Sequence, residues 1–311
     1  MSNEPVVHSA NVAGLLRRRL RPGENVIQVL LVASALVSIL TTFGIIAALL
    51  GDALRLFFYE GFSFWDFFTG TYWDPSSNHF GIWALLSGTL MTSLVAMVVA
   101  VPVGMAIGIY LSEYASARVA RTLKPVLEIL AGIPSIVYGY FAINFVTPSL
   151  QAIMGDLIKP LNALSAGMVM GILILPLIAS MAEDALGAVP KSLKQAGFAM
   201  GATKLEVALQ ITLPAATSGI VAAIILGLSR AIGETMIVAL AAGSFPRVNL
   251  NPLGSVDTMT GYIVRTSGGD IPQSGIEYIS IFAIGLTLFV ITLGLNIISR
   301  RIIEHFREVY E

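Results

Sequence analysis

The chain has 311 residues and a formal net charge of −1; 56% of its residues are hydrophobic and 12% are charged. Soluble domains contain roughly 25% charged residues, so this composition indicates a membrane protein. A spanning helix needs about 20 apolar residues, so the length allows about six spans and excludes a large additional soluble domain. Because the chain has no cysteine, disulfides, thiolate zinc sites and cysteine nucleophiles are also excluded.

The N-terminal part begins with a polar arm, residues 1–25, that contains four arginines. The apolar run 26–50 is long enough to span, so we predict a retained first helix rather than a cleaved signal peptide. We interpret the arginines as determinants of topology. The connector 51–80 is rich in aromatic and acidic residues, which favours the membrane interface, with docking of a soluble partner as the alternative. Residues 26–81 then form the first helix plus connector, and 82–311 the core.

Five further apolar runs follow and, with the first, predict an all-α polytopic fold of six transmembrane helices: 82–111, 119–146, 163–180, 215–242 and 278–298. Three of them contain an internal proline, which removes an intrahelical hydrogen bond and is expected to kink or break the helix: Pro102, Pro134 and Pro176. In a bilayer such breaks persist only where neighbouring helices or a water-lined path satisfy the freed carbonyl groups. The prolines therefore predict a packed bundle with moving parts.

Lysines and arginines are distributed unequally over the two sides that alternating spans define. If the N-terminus is cytoplasmic, the outer loops hold Arg55, Lys159, Arg247 and Arg265. The inner segments hold thirteen: Arg17, Arg18, Arg19, Arg21, Arg118, Arg121, Lys124, Lys191, Lys194, Lys204, Arg300, Arg301 and Arg307. Because cytoplasmic segments carry the excess of positive charge, we predict that both termini are cytoplasmic. The polar segment 182–214 then lies in the cytoplasm too.

The segment 182–214 contains residues that favour the starts and ends of helices. A first short helix is predicted to start at Pro190, with Ser192 as its N-cap. Gly201 is predicted to end it.

A second helix follows in the same segment. Thr203 and Glu206 form the capping-box pattern T-x-x-E, and this helix runs toward Pro214. A loop folded into two short helices is rigid enough to transmit force.

Arg230 and Glu234 lie within the fifth predicted span at a spacing of four, which places both on one helix face. Charged residues at that depth usually face a bundle interior or an aqueous path. The guanidinium suits an oxyanion, and the carboxylate accepts a hydrogen from a protonated one. The pair therefore predicts a polar route for an oxyanion, and a helix-bridging ion pair is the structural alternative.

Glu128 is a second acid near a membrane boundary, where it either reaches water or pairs with Lys124. Gly132, Pro134 and Ser135 follow it and suit a broken helix, which can aim backbone N–H groups at an anion. We predict a structural role for Glu128, with a place on the pathway as the alternative.

Several chemical signatures are missing. The sequence has no G-x-x-x-x-G-K-[ST] loop, so the energy of ATP must come from another chain. It has neither H-E-x-x-H nor G-x-S-x-G, and we predict no catalytic residues and no metal site. Its basic residues are not clustered with exposed aromatic residues, which argues against nucleic acid.

The spacing within 195–214 resembles the EAA loop of bacterial ABC importer permeases, E-A-A-x3-G-x9-I-x-L-P. The matching positions are Gln195, Ala196, Gly197, Gly201, Ile211, Leu213 and Pro214. Every spacing agrees, while Gln195 and Gly197 replace Glu and Ala. The resemblance implies a type I importer permease fold and a loop that contacts a separate ATPase. Whether Gln195 alters that contact stays open.

Other stretches are similar to the permeases of phosphate-specific importers, PstC type: 88–115, 130–139, 184–190 and 229–243. This resemblance implies ATP-driven phosphate import across the bacterial cytoplasmic membrane, with a PstA-type second permease, an ABC ATPase dimer and a periplasmic or lipid-anchored phosphate-binding protein. It implies no cofactor on this chain, with ATP used by the ATPase. In that family the Arg and Glu of R-A-x-G-E are implicated in phosphate passage, and they correspond to Arg230 and Glu234.

Alternatives remain at this point. Molybdate and sulfate permeases share the EAA loop, so the substrate could be another oxyanion. An ATP-independent channel or secondary carrier would give the loop no role. A membrane enzyme using Glu234 or Glu128 as an acid would lack a paired nucleophile or metal set.

Overall fold

The computed structural model describes residues 22–270, 272 and 275–305, and these are mostly helical, as predicted. The first 21 residues of the predicted arm 1–25 and Arg307 lie outside the described residues. The chain divides into two compact units, and each is considered by itself.

The first unit is Met1–Ala48, and its described part belongs to helix α1, Pro22–Phe57. Ser34 in this apolar helix donates its hydroxyl to the carbonyl oxygen of Leu30 at 2.8 Å. Such a bond satisfies a polar group inside the helix, as the interior of a bilayer requires. An 18-residue window within Val26–Phe57 has a mean hydropathy of 2.5, in agreement with a first spanning helix.

The second unit, Leu49–Glu311, begins with the end of α1 and the connector. The connector contains α2 (Phe64–Thr69), β1 (Trp73–Asp74) and β2 (His79–Phe80). The two strands are antiparallel, and Trp73 pairs with Phe80. The connector is therefore folded rather than an extended segment.

Aromatic residues of the connector divide into two sets. Phe67, Trp73 and Phe80 are buried in one apolar cluster, whereas Phe58 is 82% exposed and Trp65 is 79% exposed. The buried set holds the connector in place through T-shaped ring contacts. The predicted position in the membrane interface therefore concerns only the exposed aromatic residues.

Helix α3, Trp83–Ile109, continues through a π-helical turn, Tyr110–Tyr114. Pro102 lies inside α3, and the helix passes through it without a break. Of the predicted kink or break, a break is therefore absent at this proline.

The predicted span 119–146 is wrong as one continuous helix. The structure divides this part of the chain into α4 (Ala117–Gly132), α5 (Ser135–Phe141) and α6 (Thr147–Met154). Ile133 has ψ 129°, the extended conformation expected before a proline, so Pro134 does break the helix. No residue of α4 is buried, and the helix long and apolar enough to span is Ser135–Leu157.

Helix α7, Ala163–Gly187, extends past the predicted end at residue 180 and passes through Pro176 without a break. It packs against α3 through small residues. A Cβ on Gly108 would lie 2.8 Å from the Cβ of Ala182, so the two backbones approach closely at this point.

The rest of the polar segment forms the predicted short helices. These are α8 (Lys191–Ala199), α9 (Lys204–Glu206) and α10 (Leu213–Ala215), and a π-helical turn, Val207–Thr212, joins the last two. Pro190 occupies the N-cap position of α8, so the predicted cap at Ser192 is wrong. Thr203 and Glu206 form the predicted capping box.

The predicted span 215–242 is also interrupted. It is divided into α11 (Thr217–Ile232) and α12 (Met236–Ala241). The helical run Lys204–Ala215 meets α11 at an angle of 74°. A buried apolar core lies between α3, α7, α11 and α12, with Met170, Ile178 and Ile237 among its members.

The last helices are α13, Met259–Gly268, and α14, Ile276–His305. Among the described residues, five helices are long and apolar enough to cross a membrane, or six if the bent pair is one span. The larger number agrees with the six predicted spans.

Candidate functional site

The interruption after α11 positions Glu234. The helix ends at Ile232, and the carboxylate of Glu234 then accepts the backbone N–H of Met236 at 3.2 Å, at the start of α12. The carbonyl oxygen of Glu234 accepts the hydroxyl of Thr260 at 2.6 Å. Glu234 is therefore fixed at both its side chain and its backbone, in a break rather than on a helix face.

Arg230 donates from its Nη1 to Oε2 of Glu234 at 2.7 Å. The Glu234 side chain is 2% exposed, whereas that of Arg230 is 47% exposed. A buried carboxylate needs a cation or several donors, and here it has both. The predicted pair is present, but a break in the chain brings the residues together instead of a shared helix face.

The exposed part of Arg230 lines a cavity of about 420 Å³. Helices α4, α7 and α11 supply its lining: Lys124, Leu127, Glu128, Ala131, Leu173, Ile174, Pro176, Leu177, Ser180, Glu183 and Arg230. The wall is mainly apolar with four charged side chains, which is the usual composition of a site that orients a small ligand. Glu128, for which a structural role was predicted with a place on the pathway as the alternative, thus shares a cavity with Arg230.

Gly132, Pro134 and Ser135 form the break between α4 and α5, as predicted, but they do not line this cavity. A Cβ on Gly132 would meet no atom within 4 Å. The three residues therefore redirect the chain, and Glu128 is the member of the predicted group that lines the cavity together with Arg230.

Sequence reasoning missed the ion pair between Lys124 and Glu183, in which Nζ and Oε1 are 2.8 Å apart. Of the two alternatives given for Glu128, the pairing with Lys124 is absent, since Lys124 pairs with Glu183 instead. Glu183 accepts a hydrogen bond from the Lys124 ammonium and raises its pKa above the ordinary value. The available signal was the position of Glu183 at the end of an apolar run, where an acid needs a partner.

The residues of the EAA-like loop form one surface. Gln195 and Ala196 are exposed on α8, while Gly197 is buried. A Cβ on Gly197 would overlap the Cδ1 of Ile211, so glycine lets the side chain of Ile211 close the space under α8. Gly201 has φ 86°, a left-handed conformation that favours glycine, and it ends the turn after α8 as predicted.

Leu213 and Pro214 complete the predicted set; Leu213 is partly buried and packs against the apolar cluster of Leu186, Val189 and Ile220. The loop thus continues directly into the core at the start of α11.

Two contacts join this loop to the end of α3. Lys194 donates to Glu113 at 2.6 Å, and both side chains are largely buried. Lys204 lies over the ring of Tyr114, 4.9 Å from its centroid. A displacement of α8 would therefore act on α3 as well as on α7.

No group of three or more His, Asp or Glu side chains in the described residues is placed to hold a metal ion.

Comparisons with known proteins agree with this architecture. Residues 100–308 match the family described as binding-protein-dependent transport system inner membrane component. The chain is 32% identical over 254 residues to the phosphate transport system permease protein PstC of Xylella fastidiosa strain 9a5c, covering 76% of this chain and 77% of that protein. It is 31% identical to PstC of Mesorhizobium japonicum, covering 86% of each chain.

Among solved structures, a bacterial alginate ABC transporter gives a TM-score of 0.60 at 16% identity, covering 91% of this chain and 96% of that chain. The MetNI methionine ABC transporter in an inward-facing conformation gives 0.54 at 22% identity, covering 73% and 95%. At these identities the likeness shows the fold, which is that of ABC importer permeases. The chain belongs to the family of binding-protein-dependent transport system inner membrane components, and it is a membrane transport subunit rather than an enzyme.

Proposed function

We propose that this chain is one permease of an ATP-driven importer that carries inorganic phosphate across the cytoplasmic membrane. The observation that carries the proposal is Arg230, which is tied to the buried Glu234 by one donor and faces a cavity with the rest of its guanidinium. An arginine fork suits the oxygens of an oxyanion. The relatives named phosphate permeases support phosphate as the oxyanion.

The proposed partners supply the functions that this chain does not carry itself. The sequence has no phosphate-cradling loop for ATP, so an ABC ATPase dimer supplies the energy and binds the loop that contains α8. A second permease of the PstA type completes the pathway. A phosphate-binding protein, periplasmic or lipid-anchored, delivers the substrate from the other side. The excess of lysine and arginine in alternate segments supports cytoplasmic termini and a cytoplasmic α8.

Coupling would proceed through short, stiff connections. Only residues 188–190 separate α7 from α8, and Lys194 of α8 donates to the carbonyl oxygen of Leu186 at 3.3 Å and to Glu113. Closure of the ATPase dimer would push α8 and tilt α7 together with α11. Because α7 and α11 both line the Arg230 cavity, that tilt would change the side from which the cavity is open.

The test is uptake into proteoliposomes that contain the complete importer and the binding protein, with labelled phosphate in competition with sulfate and molybdate. We expect ATP-dependent phosphate uptake that excess sulfate or molybdate does not reduce. Competition by sulfate or molybdate would assign a different oxyanion. Uptake without the ATPase would instead identify a channel or secondary carrier.

A further inference from the structure

A second cation, Lys124, lines the same cavity as Arg230. Lys124 lies on α4, its ammonium is 2.8 Å from the carboxylate of Glu183 on α7, and the two side chains are 47% and 16% exposed. The cavity is thus lined by one cation from α4 and one from α11. Neither the family nor the relatives' names assign a role to Lys124.

The two cations are held in the same way. Arg230 donates to Glu234, which is 2% exposed, and Lys124 donates to Glu183, which is 16% exposed. Each cation is about half exposed, while its carboxylate partner is more buried. An arginine has five N–H donors and a lysine three, and the described ion pairs occupy one of each. The remaining donors are available to a ligand in the cavity.

We propose that Lys124 is a second ligand-binding residue, so that one tetrahedral oxyanion is held between Lys124 and Arg230. This inference rests on the proposed function, since it takes phosphate as the ligand. The volume of about 420 Å³ leaves room for phosphate with some of its water. Two cations on separate helices fix both the position and the orientation of the anion, which a single arginine does not.

The two acidic side chains in the cavity limit how tightly the anion is bound. Glu128 and Glu183 line the same cavity, so with Lys124 and Arg230 the four charged side chains cancel before the ligand enters. Phosphate therefore competes with Glu183 for the ammonium of Lys124. A transport site must bind strongly enough to load and weakly enough to empty, and competition of this kind limits the affinity.

The experiment measures KM and kcat for phosphate uptake by the complete importer in proteoliposomes. For Lys124→Gln we expect KM to rise about tenfold or more, because a charged donor to the anion is lost. Lys124→Arg should restore most of the affinity. Arg118→Gln is the matched control, since it removes one positive charge from an exposed position on the same helix outside the cavity, and its KM should equal that of wild type.

A double variant distinguishes a lysine that binds the anion from one that only neutralises the carboxylate of Glu183. In Lys124→Gln with Glu183→Gln the carboxylate that pairs with Lys124 is also removed, so a purely structural lysine would give wild-type KM in this double variant. We expect the raised KM to persist. Glu183→Gln alone should keep or lower KM because Lys124 is freed for the anion.

Wild-type KM in Lys124→Gln or in the double variant would overturn the role of Lys124, as would a similarly raised KM in Glu183→Gln alone. These outcomes are distinct from failure of the proposed function, which would appear as absence of phosphate uptake by the wild-type importer and would overturn both.

Discussion

The two ends of α3 are held in different ways. Near its N-terminus, a Cβ on Gly88 would overlap the carbonyl oxygen of Asp257, and the hydroxyl of Thr89 accepts the backbone N–H of Met259 at 3.0 Å. At its C-terminal extension, Glu113 and Tyr114 are joined to the α8–α9 loop by the side chains of two lysines. One end is fixed by backbone packing, and the other by long side chains that can rotate.

Two ion pairs between an arginine and a buried carboxylate differ in a similar way. At the end near Gly88, Arg265 uses two guanidinium nitrogens on the protein, one on Asp257 at 2.5 Å and one on the carbonyl oxygen of Gly243 at 3.2 Å. Arg230 contacts Glu234 through one nitrogen and faces a cavity. Both carboxylates are buried, so the difference lies in the cation. Arg265 therefore uses two nitrogens on the protein, whereas Arg230 uses one and keeps the others for the proposed ligand.

The largest effect is expected at the fixed end. Asp257→Ala leaves a partly buried guanidinium without its carboxylate, which should lower the free energy of unfolding by about 3 kcal/mol. Thermal unfolding of the purified complex measures it. Asp74→Ala is the control, because Asp74 is held by the hydroxyls of Ser76 and Ser77 in the connector and should change stability by less than about 1 kcal/mol.

The same carboxyl group gives a pH dependence. Burial raises the pKa of Asp257 above its ordinary value, and Arg265 offsets only part of this rise. The folded state then binds more protons than the unfolded state between the ordinary and the raised pKa, so stability should fall as pH rises through that window. Asp257→Asn should flatten the slope, and an unchanged slope would contradict the assignment.

A smaller effect on stability but a large one on coupling is expected at the other end. Gly201→Leu places a side chain at φ 86°, which should cost about 1 kcal/mol and shift the turn after α8. We expect phosphate uptake per ATP hydrolysed to fall about tenfold while the complex still assembles. Gly187→Leu is the control, since a Cβ there also meets no atom within 4 Å but its φ is not positive. Normal uptake per ATP in Gly201→Leu would contradict a coupling role for the loop.

The smallest effect is expected at the capping box of α9. The backbone N–H and hydroxyl of Thr203 lower the pKa of the exposed Glu206. The stabilising effect is therefore complete above the ordinary pKa of a glutamate and is lost as pH falls through the lowered value. Thr203→Ala should cost about 1 kcal/mol and speed hydrogen exchange in the first turn after residue 203. Unchanged exchange would show that packing alone fixes this helix.

The sequence predicted helices well and helix breaks less well. Apolar length located the spans in α1, α3, α7 and α14, but it placed another at 119–146, where the structure has its spanning helix at Ser135–Leu157. The prolines did not act alike: α3, α4 and α7 continue through Pro102, Pro125 and Pro176, whereas Ile133 before Pro134 is extended and the helix ends there. Helix α4 carries Arg118, Arg121 and Lys124, and it is not among the described helices that are long and apolar enough to span.

The sequence identified only part of the candidate site. Arg230 and Glu234 are four residues apart, so a local pattern was enough to pair them. Lys124 and Glu183 are on different helices, and their contact depends on how α4 packs against α7. Local sequence reasoning had no means to choose Glu183 over the nearer Glu128.

The most direct test of this account compares Arg230→Gln with Arg265→Gln in proteoliposomes, with phosphate uptake normalised to the amount of assembled importer. The account predicts that Arg230→Gln loses uptake by about a hundredfold or more, as expected when a charged contact to the moving substrate is removed. Arg265→Gln should yield less assembled importer but nearly normal uptake per complex. Normal uptake in Arg230→Gln, or an equal loss per complex in both variants, would contradict it.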